Sequence, residues 1–213
     1  MPPRGFLELA TGILRQKEDF DKMIPNRPQI RYLDEMRKVL FDQEWAKRAS
    51  NIPLYYMYRG IKEKDDLRYD ITVIPSRLLG KEFVKTKGHS HFGKYGELYI
   101  VLSGQGIFLF QKHNKGKVED VYYIKAEKGD YVPIPPFYAH TTINPSSQEL
   151  KIANWVSKKC LSNYKEIEEM GGFCYYYTTS GWVKNKNYRN VPEIRSEKPQ
   201  RSEPKNLDFL YGN

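Results

Sequence analysis

From Pro53 onward the chain is divided into short runs of Tyr, Val, Ile, Leu and Phe, separated by turn residues every eight to fifteen positions. Runs of this length, β-branched and aromatic and bounded by Gly, Pro, Asn and Asp, read as strands. Eight are expected, over residues 54–58, 69–74, 96–102, 106–111, 121–124, 131–134, 141–143 and 150–155. Eight strands at this spacing argue for an all-β sandwich or barrel. Ser103-Gly104-Gln105-Gly106 and Asn114-Lys115-Gly116-Lys117 read as hairpin turns between consecutive strands.

The flanks differ from this middle. Pro2, Pro3, Pro25 and Pro28 punctuate short apolar runs over residues 1–30, a pattern that suits an extended arm. Residues 30–33 are expected as a strand, and residues 42–49 (DQEWAKRA) as one or two helical turns with Asp42 at the N-cap. Residues 164–170 read as a short helix stopped by Gly171-Gly172, and residues 173–178 and 182–184 as a last hairpin. Beyond Asn187 the chain is rich in Pro, Glu, Arg and Ser, and a mobile tail is expected. The division is therefore an arm with a short helix (1–50), a β-barrel (51–187) and a flexible polar tail (188–213).

At 213 residues the chain buries enough core to fold without a disulfide or a structural metal, so Cys160 and Cys174 are expected as free, partly buried thiols. No apolar stretch approaches the roughly 20 residues of a membrane helix and no signal-peptide pattern opens the chain, so a cytoplasmic protein with no membrane partner is expected. Lys and Arg number 35 against 26 Asp and Glu, a formal +9. That excess points to an anionic partner. With no basic run of five or more, a small phosphorylated or carboxylated ligand is favoured and nucleic acid is not.

Three of the four histidines fall into two patterns. In KTKGHSHF, His89 and His91 share one face if the segment is extended, and Glu97 opens the strand ELYIVL soon after. In GDYVPIPPFYAHTTIN, His140 follows a Gly turn and a Pro-Pro stop. A lone strand histidine is usually a core or surface residue, but three imidazoles and a carboxylate in two such segments form a donor set for a divalent transition metal with coordination positions left open. His113, between Lys112 and Asn114, fits neither pattern and is expected as a solvated loop residue.

These residues carry a resemblance. His-x-His, five residues, Glu97, then six residues to Gly104 resembles the first cupin motif, and Gly129, five residues, Pro135, then His140 and Asn144 resembles the second. More narrowly, GKEFVKTKGHSHFGKYGELYIVLSGQG together with PIPPFYAHTTIN is similar to the archaeal-type, cupin-fold glucose-6-phosphate isomerases, as are RYLDEM at residues 31–36 and the helix at 42–49. The likeness runs from about residue 6 to residue 187. The long His91-to-Glu97 spacing and Phe137, where a general cupin has Gly, are shared with those isomerases.

The resemblance implies a double-stranded β-helix (cupin or jelly-roll) barrel. It implies one divalent transition-metal ion on His89, His91, Glu97 and His140, iron foremost, with zinc, manganese or nickel as alternatives. It implies a phosphate held at Thr72, Thr86 and Gly88, with Lys85 and Lys87 flanking. Trp155 stands where the family has a phosphate-contacting tyrosine, and Ser162 near where it can carry a histidine that helps open the sugar ring. The implied activity is a metal-dependent aldose–ketose isomerase interconverting glucose 6-phosphate and fructose 6-phosphate. In it the metal binds the C1 and C2 oxygens and Glu97 moves the proton through an enediolate, with a hydride shift as the alternative. Tyr99, two residues on and on the same strand face, would orient Glu97 or a sugar hydroxyl. A homodimer exchanging N-terminal arms is expected. The competing readings are another metal-dependent cupin enzyme, such as a dioxygenase or small-acid isomerase, and a cupin that binds metal or sugar without turnover.

Overall fold

The structure, a computed structural model, describes residues 27–114 and 117–212. The arm expected at the start of the chain therefore lies outside the described residues as far as residue 26. Two sheets dominate. The first has six strands in the order β1 (Gln29–Tyr32), β2 (Pro53–Lys64), β3 (Leu67–Ile74), β12 (Leu150–Ser157), β7 (Glu97–Ser103) and β10 (Tyr131–Ile134). The second has four, in the order β11 (Tyr138–Ile143), β8 (Gln105–Asn114), β9 (Lys117–Glu127) and β16 (Arg195–Glu197). Two smaller sheets pair β13 (Ser162–Asn163) with β6 (Ser90–His91), and align β15 (Gly181–Lys184), β14 (Tyr175–Thr178), β5 (Glu82–Phe83) and β4 (Leu78–Leu79).

From β7 to β12 the chain passes between the two large sheets four times, which winds it into the expected double-stranded β-helix barrel. The barrel interior is filled from both sheets by side chains such as Phe108, Phe110, Ile107 and Leu150, all nearly inaccessible. Each contributes about 1.5–3 kcal/mol of burial. β8 is apolar on both faces, as a strand covered on both sides must be.

The helix at Gln43–Arg48, α1, is started by Asp42, whose carboxylate accepts the Trp45 N–H at 3.0 Å. A second helix, α2, spans Lys165–Glu169. No helix among the described residues is long and apolar enough to cross a membrane. Cys160 and Cys174 are free, the second fully buried.

Three expectations need correction. The Gly104 turn is not a hairpin: β7 pairs with β12 and β10, β8 with β11 and β9, and the turn carries the chain from one sheet to the other. Gly104 has φ +81°, and a Cβ there would stand 2.6 Å from the Glu149 carbonyl oxygen. The second turn does join a hairpin, since Asn114 faces Lys117 across β8 and β9.

The tail is packed, not mobile. β16 adds to β9 in parallel, Tyr131 and Gln200 exchange backbone hydrogen bonds of 2.9 Å, and the Gly96 N–H donates to the Phe209 carbonyl at 2.7 Å. Leu210 is fully buried, and with Leu207, Phe209 and Tyr211 it covers a second core on the outer face of the six-stranded sheet. Four apolar side chains at close spacing do this inside a segment whose composition is otherwise polar.

His113 is no loop residue either. It lies inside β8, its side chain 14% exposed, between Gln111 Nε2 at 2.9 Å and the Glu166 carboxylate of α2.

Candidate metal and substrate site

Glu97 opens β7 and Tyr99 follows on the same face; both are buried and line one cavity at the end of the barrel. His140, on β11, and His89 exchange backbone hydrogen bonds, His89 N–H to the His140 carbonyl at 3.1 Å and the reverse at 2.9 Å, which fixes their register across the cavity mouth. Gly88 allows this approach. It has φ +75°, and a Cβ there would collide with the Phe173 ring and press on the His140 carbonyl. His91, on β6, completes the group.

The four expected ligands converge: one ligand atom from each of His89, His91, Glu97 and His140 can be chosen so that all lie within 4.8 Å of one another. His89 Nε2 and His91 Nε2 are 3.2 Å apart, and Glu97 Oε2 is 3.1 Å from His140 Nε2 and 3.4 Å from His91 Nε2. Despite these distances, Glu97 Oε2 and both ring nitrogens of His140 are buried without a hydrogen bond of acceptable geometry. Buried polar atoms left unpaired are costly. Here Glu97 Oε2 and His140 Nε2 lie 3.1 Å apart without pairing, the arrangement that a cation accepting a lone pair from each would satisfy.

The electrostatics are mixed: His89 is held neutral, whereas His91 is held protonated in the absence of an ion and must give up that proton to bind one. Burial, then the neighbouring His140 and His91, hold His89 well below the usual imidazole range, so it stays neutral. For His91, burial is outweighed by the facing Cys160 thiol and Glu97 carboxylate, and it rises to about 10. Burial opposes ionisation of Glu97, but His140 and His91 outweigh it and keep the carboxylate charged. His91 Nδ1 lies 3.0 Å from the Tyr95 carbonyl, which orients the ring so that Nε2 faces the cavity. These donors fit a divalent transition-metal ion.

Of the other expected residues, Thr72, Thr86 and Gly88 line the same cavity. The Thr86 hydroxyl is engaged, however: it accepts the Thr142 N–H at 3.0 Å and meets the Thr141 hydroxyl at 3.1 Å. Trp155 is not in the cavity. In β12 the register sets Asn154 opposite Asp70 and Trp155 opposite Tyr69, so Asn154 and Val156 face inward while Trp155 packs on Tyr69 in the outer core, ring centroids 4.9 Å apart. Lys85 and Lys87 do not line it either; their ammonium groups sit 2.5 Å from Glu82 and Glu168.

The cavity also holds residues that the sequence reading passed over: Tyr55, Arg59, Arg68, Asn154, Cys160 and Tyr164. Arg68 and the buried Asp70 alternate with Thr72 along β3, so the period of two that selects Thr72 selects them as well.

The sequence profile of glucose-6-phosphate isomerase (GPI) matches residues 43–193. A glucose-6-phosphate isomerase of Thermococcus gammatolerans is 32% identical over 171 residues, 78% of this chain and 83% of that one. The enzyme of Thermococcus litoralis is 31% identical with the same coverage, and that of Pyrococcus abyssi 31% identical over 79% of this chain and 91% of its own. Among solved structures, a Cupin 2 conserved barrel domain protein from Salinispora arenicola is 16% identical, covers 47% of this chain and 73% of that chain, and has a TM-score of 0.34. On the profile match and the relatives' identity over most of the chain, this protein is an isomerase and belongs to the glucose-6-phosphate isomerase family.

Proposed function

We propose that this chain interconverts glucose 6-phosphate and fructose 6-phosphate in a reaction that needs a divalent metal ion, iron foremost, held by His89, His91, Glu97 and His140. One observation carries the metal requirement: the buried ligand atoms converge within 4.8 Å while Glu97 Oε2 and both His140 nitrogens go without a hydrogen bond. A bound ion would supply Lewis-acid stabilisation of negative charge developing on the substrate oxygens.

The chain's own residues supply the rest. An aldose–ketose exchange moves a proton between adjacent carbons, and Glu97, kept ionised and nearly dry, is the carboxylate in reach to take it from one carbon and return it to the other. Burial, then the Glu97 charge, holds the Tyr99 phenol well above its usual range, so it remains a hydrogen-bond donor toward Glu97 or a sugar hydroxyl. The barrel walls exclude bulk water from both. The expected homodimer remains part of this proposal, to be decided by light scattering on the full chain.

The test is conversion of fructose 6-phosphate to glucose 6-phosphate by protein stripped with chelator and then supplied with iron, manganese, nickel or zinc. Activity that returns with metal supports the reading; equal activity before and after stripping, or none with any metal, overturns it. Turning fructose 6-phosphate over in deuterated water bears on the route, because deuterium appearing at C2 of the glucose 6-phosphate product would establish proton transfer through a base such as Glu97, whereas a hydride shift introduces none.

A further inference from the structure

A phosphate monoester brings close to two negative charges into this cavity, and a buried anion is held best by charged donors. The lysines beside the expected cradle are neutralised elsewhere, Lys85 by Glu82 and Lys87 by Glu168. The Thr86 hydroxyl is spent on the seam with Thr141 and Thr142. Among the described residues, the only lysine or arginine side chains lining the cavity are Arg59 and Arg68.

Both are mounted on one carboxylate. Arg59 Nη1 and Arg68 Nε each lie 3.0 Å from Asp70 Oδ2, while Asp70 Oδ1 accepts the Gly60 N–H at 2.8 Å. Asp70 is 2% exposed, so its charge is consumed as the mount. Two guanidinium groups against one carboxylate leave a net positive charge on the cavity wall. The Nη groups of Arg68 make no hydrogen bond with any described residue, and the two arginine side chains remain about a third exposed, at 37% and 30%.

The register sets their distance from the metal ligands. Val156 pairs with Arg68 on one side and with Glu97 on the other, so Arg68 stands in the same row as Glu97, two strands away. Two strand spacings are about 10 Å. A six-carbon sugar phosphate with its reacting end at Glu97 therefore extends toward arginine donors that favour bidentate contact with phosphate.

We propose that Arg59 and Arg68, held by Asp70, receive the phosphate group of the substrate and select phosphorylated over neutral sugars. The inference rests on the reading of the site as a sugar-phosphate isomerase and adds the cations that reading lacked. The competing role is a brace that only shapes β2 around Gly60.

The experiment is calorimetric binding of glucitol 6-phosphate, glucitol and inorganic phosphate to the full chain, metal-loaded and metal-stripped, for wild type, Arg68→Gln, Arg59→Gln and the two lysine replacements. Loss of charged hydrogen bonds should weaken glucitol 6-phosphate and inorganic phosphate about 10- to 100-fold in the glutamine variants, with glucitol binding, metal content and the urea midpoint unchanged and the lysine variants intermediate. In turnover, KM should rise and kcat should hold. Equal loss for glucitol and glucitol 6-phosphate, or no loss for either, would overturn the phosphate role. Arginine-dependent phosphate binding without isomerisation would leave this site standing and sink the isomerase reading. Isomerisation with a KM indifferent to both arginines would do the reverse. If a glutamine variant unfolds, the lysine variants decide: a normal urea midpoint with weakened phosphate binding supports the proposal, and unweakened binding defeats it.

Discussion

His91 Nδ1 lies 3.0 Å from the carbonyl oxygen of Tyr95, a residue of the same loop that carries the chain on to Glu97. The loop therefore does more than connect two of the proposed ligands: its backbone orients one of them. Metal ligands commonly depend on such outer hydrogen bonds, and losing one lowers metal affinity or activity by about 10- to 100-fold. Deleting Lys94, an exposed loop residue outside the cavity, should withdraw the Tyr95 carbonyl and cost metal affinity in that range. Competition with a chelator measures it, and unchanged affinity would reduce the loop to a spacer.

Replacing His140 by Ala removes a proposed ligand without removing a strand contact. The paired backbone bonds between His89 and His140 remain, as does the pairing of β11 with β8 from Tyr138 to Ile143. Metal content should fall to background and isomerase activity with it, while the far-ultraviolet circular dichroism and the unfolding midpoint of the metal-stripped protein stay close to wild type. A variant that keeps its stoichiometric metal would show that His140 is not a ligand.

The convergence of His89, His91, Glu97 and His140 was legible because its signal is local: short spacings, a strand parity and a distinctive set of residue types. Strand positions were legible for the same reason, and the Asp42 cap with them. What stayed hidden depends on which strands become neighbours. Gly104 looks like a hairpin turn until β7 and β8 are found in different sheets. Trp155 looks like a cavity residue until Asn154 is set opposite Asp70, after which the period of two turns the indole outward. Arg59 and Arg68 carried no motif, yet their parity with Met57 and Thr72 held the information once those strands were known to form the wall. The tail misled through composition, because its few apolar residues are adjacent and cover a face that no single strand reveals.

Leu210 is fully buried against that face, beside residues that include Trp155, Leu98 and Ile100. Leu210→Ala should cost about 2–5 kcal/mol by lost burial and the cavity left behind. Urea unfolding of the full chain measures this. A change below about 0.5 kcal/mol, the range of surface substitutions, would mean that the tail lies on the barrel without contributing to its stability.

The tail is also tied by charge, and the sign of its pH dependence follows. Hydrogen bonding from Arg195 lowers the Asp120 carboxyl below the usual carboxylate range, against a smaller opposing effect of burial. A carboxyl depressed in the folded state adds stability above its unfolded pKa, near 3.9, and loses it as the pH falls through the folded value. The side chains are 49% and 24% exposed, so solvent screening limits the pair to about 1 kcal/mol or less. Backbone amides of Arg195–Glu197 should therefore keep constant protection from neutral pH down to about pH 4 and lose it faster than the amides of β8 below that. Arg195→Ala should remove this extra acid sensitivity and leave a lower, flat protection in its place. Hydrogen exchange read by NMR at several pH values, corrected for intrinsic rates, tests it; parallel loss in β16 and β8 would assign the acid response to the whole barrel instead of to the Asp120–Arg195 pair.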